Sequence, residues 1–113
     1  MHEYSIVQAL LFQAASEARR HGARAVHRLR VTVGELSGVE TSLLATAYDT
    51  FRAGTLCAEA PLEIRAVAAR WQCPSCERTL ERGAVLACPR CGHPARLVDG
   101  DDIVLETMEL EVG

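Results

Sequence analysis

The chain has 113 residues and a net charge of −3, enough for one compact domain or a small core with an appended module. This nearly balanced charge argues against a surface built to coat nucleic acid or an anionic membrane. All 12 basic residues are arginines, which excludes a lysine Schiff base or a Walker-type phosphate lysine. We also find no apolar run of the length that a membrane span needs.

The N-terminal segment predicts a helix followed by a strand. Apolar residues recur at helical spacing over 5–21, with Ser5 as the N-cap and Gly22 as the stop. After it, Leu29, Val31 and Val33 alternate with polar residues, which indicates a half-buried strand. A turn at 34–38 follows this strand.

The middle of the chain predicts a second helix and a second strand. The helix is expected at about 41–53 and ends before Gly54. The apolar side of this helix comprises Leu43, Leu44, Ala47, Tyr48 and Phe51. In the segment that follows, Leu62 and Ile64 alternate with charged residues, as in a strand with one buried face.

Residues 70–98 contain two Cys-x-x-Cys pairs, formed by Cys73, Cys76, Cys88 and Cys91. Four thiolates brought together by two tight turns match the closed tetrahedral coordination of a structural zinc ion. Two disulfides or a dithiol redox site are the alternatives that the spacing leaves open. The segment has too few apolar residues for an independent core, so we expect the metal to supply its folding energy.

The last strand is predicted at 103–112, with Met108, Leu110 and Val112 on one face. The expected fold is therefore α+β: two helices with a small mixed β-sheet, interrupted by an inserted zinc-ribbon-like module that holds the four paired cysteines. The domain boundaries that follow are 1–69 with 99–113 for the α+β domain and 70–98 for the zinc module.

The first residues offer a second set of metal ligands. The Met1 amine, the backbone nitrogen and imidazole of His2, and a backbone or carboxylate donor of Glu3 can form adjacent chelate rings. Such nitrogen-rich planar sets suit Ni(II) or Cu(II). The amine must lose its proton to bind a metal ion. The affinity for the metal should therefore decrease as the pH drops below about 7.5. The alternative is that these residues are simply polar groups at a frayed terminus.

Several segments together resemble a known family. They are the start Met1-His2-Glu3-Tyr4-Ser5, the strand and turn 31–39, the segments 51–55 and 62–64, the two Cys-x-x-Cys pairs, and the closing segment 105–110. On these residues, which span nearly the whole chain, the sequence resembles the HypA/HybF family of hydrogenase nickel-incorporation metallochaperones.

The resemblance implies a nickel-binding domain beside a separate structural zinc domain. The implied ligands of exchangeable Ni(II) are the Met1 amine, His2 and Glu3, with Glu40 as a fourth candidate. The implied ligands of structural Zn(II) are Cys73, Cys76, Cys88 and Cys91. Some relatives have a histidine beside a zinc cysteine that makes the site respond to pH; here His93 is displaced from that position by one residue.

The resemblance also implies partners and a client. Nickel would pass to the large subunit precursor of [NiFe]-hydrogenase in concert with a hydrogenase maturation GTPase, and certain relatives also serve urease. Neither nucleic acid nor a membrane is an expected partner, and the sequence leaves a homodimer open. An acidic residue near the start, where a signal peptide has basic ones, and cysteines spaced for metal predict a cytoplasmic protein.

Two other functions compete with the carrier. A zinc-ribbon nucleic-acid or protein-interaction module is the first, because residues 70–97 hold five arginines against two glutamates. Four thiolates around zinc would contribute −2 and reduce this excess, and Trp71 alone is a poor stacking platform. An enzyme is the second, but four cysteines leave zinc no open position and no catalytic constellation is evident. We therefore predict a non-enzymatic carrier.

Overall fold

The computed structural model describes residues 2–75, 79–80, 87, 88, 90 and 92–112. Within these ranges it contains two helices, α1 (His2–Arg20) and α2 (Thr41–Phe51). The described strands are β1 (Ala23–Gly34), β2 (Leu62–Val67), β3 (Arg70–Gln72), β4 (Thr79–Leu80), β5 (Arg96–Asp99) and β6 (Ile103–Val112). Neither helix is both long and apolar enough to cross a lipid bilayer.

Helix α1 begins earlier than the sequence predicted. Ser5 is not its N-cap, because His2 is already helical. An acidic Glu3 in the first turn and Arg19 and Arg20 in the last turn complement the helix dipole, which favours this extension. The predicted stop is confirmed, since Gly22 adopts a φ of 66° that side-chain-bearing residues rarely take.

The main sheet has the order β2-β1-β6 and confirms the predicted mixed topology. Strand β1 pairs in parallel with β2, with Leu29 opposite Leu62, and antiparallel with β6, with Leu29 opposite Met108. The central strand is longer than predicted, because Ala23 already pairs with Val112. Register shifts between β1 and β6 interrupt the alternation of this segment, which hides it from a period-two pattern.

Both helices pack on one face of this sheet and form the core. The buried cluster comprises Val7, Ala14, Ala18, Val26, Leu29, Val33, Leu44, Ala47, Tyr48, Cys57 and Ala60. Two residues of the predicted apolar faces are exposed, because Leu43 is 53% exposed and Val112 is 62% exposed. Leu43 lies one residue before the buried stripe of α2, and Val112 ends an edge strand, so neither is covered.

The opposite face of the sheet carries a ladder of ion pairs. Glu63 of β2 pairs with Arg28 and Arg30 of β1, at 3.7 and 3.1 Å. Glu106 of β6 pairs with Arg30 at 3.6 Å and with Arg65 at 2.8 Å. Exposed pairs of this kind each contribute little to stability. The ladder instead gives the three strands a charged, solvated outer face.

The predicted zinc module contains a second sheet, with the order β4-β3-β5. Trp71 of β3 is half-buried and lies opposite Leu80 and Leu97. An isolated bridge joins Ala87 to Pro94 around the second cysteine pair. The short strands enclose few apolar residues in the described part of the module, so this sheet has no core comparable to that under the helices.

Candidate metal centre

The starts of the two helices meet at a pair of glutamates. Oε2 of Glu3, in the first turn of α1, accepts a hydrogen bond of 3.3 Å from the backbone N–H of Glu40. Glu40 is the N-cap residue of α2, with extended backbone angles, and its side chain is exposed. Two residues implied as nickel ligands, 37 positions apart, are therefore brought together by the fold.

The backbone of His2 is suited to metal binding because it begins a helix. The first four N–H groups of an α-helix have no acceptor within the helix. Deprotonating the His2 nitrogen to bind a metal would therefore break no helical hydrogen bond, and the positive end of the helix dipole favours the resulting anion. Met1 and the side chain of His2 lie outside the described part of the chain.

A small apolar cleft borders the carboxylate of Glu3. Its volume is about 160 Å³, and it lies between α1 and α2. The residues that line it are Glu3, Tyr4, Leu43, Thr46 and Ala47. The ring of Tyr4 meets the edge of Phe51, with a centroid distance of 5.3 Å and an interplanar angle of 88°. This contact packs the first turn of α1 against the end of α2.

A larger cleft of about 290 Å³ lies between α1 and β6, away from the paired glutamates. Glu17, His21 and Glu106 are among its lining residues. Across the described ranges, however, no group of three or more His, Cys, Asp or Glu residues is placed to hold a metal ion.

The two described cysteines of the module are its most buried side chains. Cys73 follows β3 and is 0% exposed, and Cys88 is 2% exposed. The backbone turns sharply after Cys88, because its carbonyl accepts from Gly92 N at 2.8 Å and its N–H donates to His93 O at 2.9 Å. Gly92 makes this turn with a φ of 75°. Cys76 and Cys91 lie outside the described residues.

These observations fit a thiolate-bound zinc ion. In the described part of 70–98, only Cys73 and Cys88 are buried, so sulfur occupies the place that apolar side chains take in an ordinary core. Buried thiols held on tight turns are the donors that a structural Zn(II) uses. The side chain of His93 is exposed, and its backbone carbonyl accepts the hydrogen bond from Cys88 N.

Cys57, the remaining cysteine, belongs to the core of the α+β domain. It is 1% exposed and packs as a small buried residue. Burial raises the pKa of its thiol, and a hydrogen bond with Tyr48 opposes this in part. The hydroxyl of Tyr48 also donates to Ala60 O at 2.7 Å, and burial raises the pKa of this phenol. Cys57 therefore remains a neutral packing residue at neutral pH.

One contact at the junction of core and module was not predicted from the sequence. Oε1 of Glu35 accepts a hydrogen bond of 2.8 Å from the backbone N–H of Ala69, 34 residues along the chain. An exposed glutamate in a turn and an alanine after a strand give no pattern that would pair them. The short motif Gly-Glu-Leu-Ser-Gly around Glu35 was the one available signal.

The comparisons with known proteins agree along nearly the whole chain. A family model described as "Hydrogenase/urease nickel incorporation, metallochaperone, hypA" matches residues 1–110. A hydrogenase maturation factor HypA of Aquifex aeolicus (strain VF5) is 38% identical, covering 99% of this chain and 99% of that one. The factor of the same name in Shewanella baltica (strain OS185) is 40% identical, covering 98% and 97%.

Solved structures show the same fold. The chain is similar to the solution structure of the Ni metallochaperone HypA from Helicobacter pylori, with a TM-score of 0.75, 27% identity and 98% of each chain covered. It is also similar to a solution structure of HypA protein, with a TM-score of 0.81, 27% identity and coverage of 100% and 98%. The α+β architecture predicted from the sequence is confirmed.

Proposed function

Because the chain belongs to the HypA family of nickel-incorporation metallochaperones, we propose that it binds Ni(II) at the start of α1 and delivers it for maturation of [NiFe]-hydrogenase. The contact between Glu3 and Glu40 carries this proposal, because it unites two implied ligands at one exposed place. The family match supports this carrier over a zinc-ribbon nucleic-acid or protein-interaction module.

The proposed nickel ligands are the Met1 amine, the backbone nitrogen and imidazole of His2, and Glu3, with Glu40 as a further carboxylate. A planar set rich in nitrogen suits Ni(II). The helical N–H of His2 has no acceptor to lose, so forming the anionic nitrogen costs less than it would inside a helix.

The nickel ion must also be released, and the weak contact between Glu3 and the exposed Glu40 supports release. The hydrogen bond from Glu40 N to Glu3 is long, at 3.3 Å, and solvent-exposed, so it is weak. When nickel departs, the carboxylate of Glu3 can return to this N–H, which gives the empty carrier a defined resting contact. An acceptor protein can thus replace the ligands one at a time without unfolding α1.

For the second metal, we propose that Cys73, Cys76, Cys88 and Cys91 hold a structural zinc ion. Zinc bound to four thiolates supplies folding energy and has no open position for a substrate. The buried Cys73 and Cys88 support this assignment. The corresponding domains are 70–98 for zinc and 1–69 with 99–113 for nickel.

The proposed partners follow from the role in hydrogenase maturation. They are a maturation GTPase and the large subunit precursor of [NiFe]-hydrogenase, with urease as a second client class. The protein acts as a non-enzymatic carrier, and we propose the cytoplasm as its place of action, since that is where unassembled metalloenzyme subunits are made.

The test is a Ni(II) competition titration of untagged, zinc-loaded protein. His2→Ala should weaken Ni(II) binding by more than the roughly 10–100-fold that loss of an outer-shell partner costs. The matched control is His27→Ala, which removes an exposed imidazole paired with Glu111 on β6 and should leave nickel binding unchanged. Glu3→Gln should weaken binding to a smaller extent. Equal affinity of wild type and His2→Ala would refute the proposal.

A further inference from the structure

The turn after β1 touches both connections between the core and the zinc module, residues 67–69 and 99–102. Three consecutive backbone amides, one at the end of β1 and two in the turn, donate hydrogen bonds to them. The bonds are Gly34 N to Asp102 O at 2.8 Å, Glu35 N to Val67 O at 2.8 Å and Leu36 N to Gly100 O at 2.7 Å. One short turn therefore holds the outgoing and the returning chain together.

One side chain and two closely packed glycines stabilise the same junction. The carboxylate of Glu35 accepts a hydrogen bond from Ala69 N at 2.8 Å, so it binds the outgoing connection directly. Gly34 lies so close to the returning connection that a Cβ there would be 2.3 Å from the carbonyl carbon of Gly100. Gly100 in turn lies against Ala69, where an added Cβ would be 2.5 Å from the alanine Cα. The three segments are thus in backbone contact.

From this junction the turn runs directly to the paired glutamates. The Ser37 hydroxyl donates to Gly34 O at 2.7 Å and accepts from Val39 N at 3.4 Å, which fixes the path of the loop. The next residue is Glu40, whose N–H meets Glu3. Hydrogen bonds therefore connect the junction to the proposed nickel site through only six residues of chain, 35–40.

We propose that Glu35 is a positioning residue for nickel binding: by holding Ala69 it locks the turn against the module connections and so places Glu40 beside Glu3. The nickel part rests on the proposed function. Glu35 acts through the loop and is not a nickel ligand, because its carboxylate is engaged with Ala69.

The chemistry of the contact makes its test specific. A carboxylate that accepts from a backbone N–H forms a charge-assisted bond. Glu35→Gln keeps an acceptor oxygen at the same distance from the backbone. It should therefore retain most of the hydrogen bond to Ala69 N and most of the nickel affinity. Glu35→Leu keeps the size of the side chain and removes the acceptor, which leaves the Ala69 N–H to water. A surface control is Glu59→Leu, at an exposed position in the loop before β2.

Each variant is studied as full-length, zinc-loaded protein, by amide hydrogen exchange and by Ni(II) competition titration. In Glu35→Leu, exchange at Ala69 and Leu36 should accelerate about tenfold, as expected for loss of a hydrogen bond to a charged group. Because the same hydrogen bond is lost, nickel affinity should also fall, by about threefold to tenfold, while the zinc content stays unchanged. Glu35→Gln should stay within about twofold of wild type, and Glu59→Leu should match wild type.

Several results would overturn the inference. They are unchanged exchange in Glu35→Leu, faster exchange with unchanged nickel affinity, and equal damage from Glu35→Gln and Glu35→Leu. Should Glu35→Leu not fold, Glu35→Asp replaces it, since it shortens the side chain and keeps the charge. If His2→Ala binds nickel like wild type, the proposed function fails separately, and the exchange rates still show whether Glu35 holds the junction.

Discussion

The α+β core and the zinc module are stabilised in different ways. The core buries a continuous apolar cluster, with Leu29, Leu44 and Tyr48 among its fully covered side chains. In the described part of the module, the fully covered side chains are two cysteines, and Trp71 is only half-buried. Hydrophobic burial scales with covered apolar area, so we expect the core to fold without metal and the module to depend on the proposed zinc ion.

The largest expected effect is the loss of zinc ligation. In Cys88→Ser the module should lose its zinc and unfold, because structural zinc supplies roughly 10–16 kcal/mol of apparent binding free energy in small zinc domains. Trp71 is the single tryptophan and lies in β3, so its emission should shift to the red. Far-UV circular dichroism should still show both helices.

The matched control is Cys57→Ser, the same substitution at a buried core position. It should leave zinc content and Trp71 emission unchanged and lower the free energy of unfolding of the core by about 1–3 kcal/mol, the cost of a poorly satisfied buried hydroxyl. Loss of helix signal in Cys88→Ser would contradict an independently folding core.

The next prediction concerns a substitution that weakens the core and leaves the zinc module intact. Leu44→Ala opens a cavity at a fully buried position of α2 and should cost about 2–5 kcal/mol of unfolding free energy. Zinc stoichiometry should stay at the wild-type value in native buffer. Urea denaturation followed by far-UV circular dichroism measures the loss. A change below about 1 kcal/mol would show that packing at this position is not limiting.

A smaller effect concerns the hydroxyl of Tyr48 within the core. Tyr48→Phe removes its bond to Ala60 O, which keeps a second donor in Arg52 Nη1 at 2.8 Å, and its weaker bond with the thiol of Cys57. Because the carbonyl stays satisfied, the cost should be about 0.5–1.5 kcal/mol in urea denaturation. The control is Tyr4→Phe at a 42% exposed ring, which should leave stability unchanged. Equal losses in the two variants would contradict the assignment.

The smallest effect lies on the outer face of the sheet and depends on pH. The hydrogen bond from Arg65 holds the pKa of Glu106 below its ordinary value of 4.5. The folded state therefore binds fewer protons than the unfolded state. The resulting stabilisation of the fold is present above pH 4.5 and is lost as the pH falls through the folded pKa of Glu106. In Arg65→Met the pKa of Glu106 should rise, as followed by NMR titration of the side-chain carboxyl.

Arg24→Met is the control for this titration, because Arg24 lowers the pKa of Glu111 at the other end of β6. It should raise the pKa of Glu111 and leave that of Glu106 unchanged. A Glu106 pKa that does not respond to Arg65→Met would show that the ladder contact is absent in solution.

The sequence predicted those parts of the fold that produce a local pattern. Helical spacing located α2 within two residues, and the spacing of apolar residues gave β2 and β6. The predicted start of α1 was wrong, because the favourable interaction of Glu3 with the helix dipole outweighed a cap at Ser5. Leu43 lies at the exposed edge of the buried stripe of α2, beside the cleft that Glu3 and Tyr4 also line, and periodicity cannot tell a stripe from its edge.

The candidate site was predictable as residue types and not as geometry. Spacing identified the cysteine pairs, and chelate chemistry singled out Met1, His2 and Glu3. The meeting of Glu3 with Glu40 depends on how α1 and α2 pack, and no local pattern encodes it. The grip of Glu35 on Ala69 is likewise a product of the parallel pairing of β1 with β2, which sets the end of both strands side by side.

The central claim is that the first residues of α1 form a nickel site independent of the sulfur-bound zinc. The most direct measurement compares Ni(II) affinity of untagged, zinc-loaded protein with a free and with an acetylated terminal amine. We predict that acetylation lowers nickel affinity by more than about 10–100-fold, the range for losing an outer-shell partner, while zinc content stays the same. Equal nickel affinity of the two forms would contradict the account.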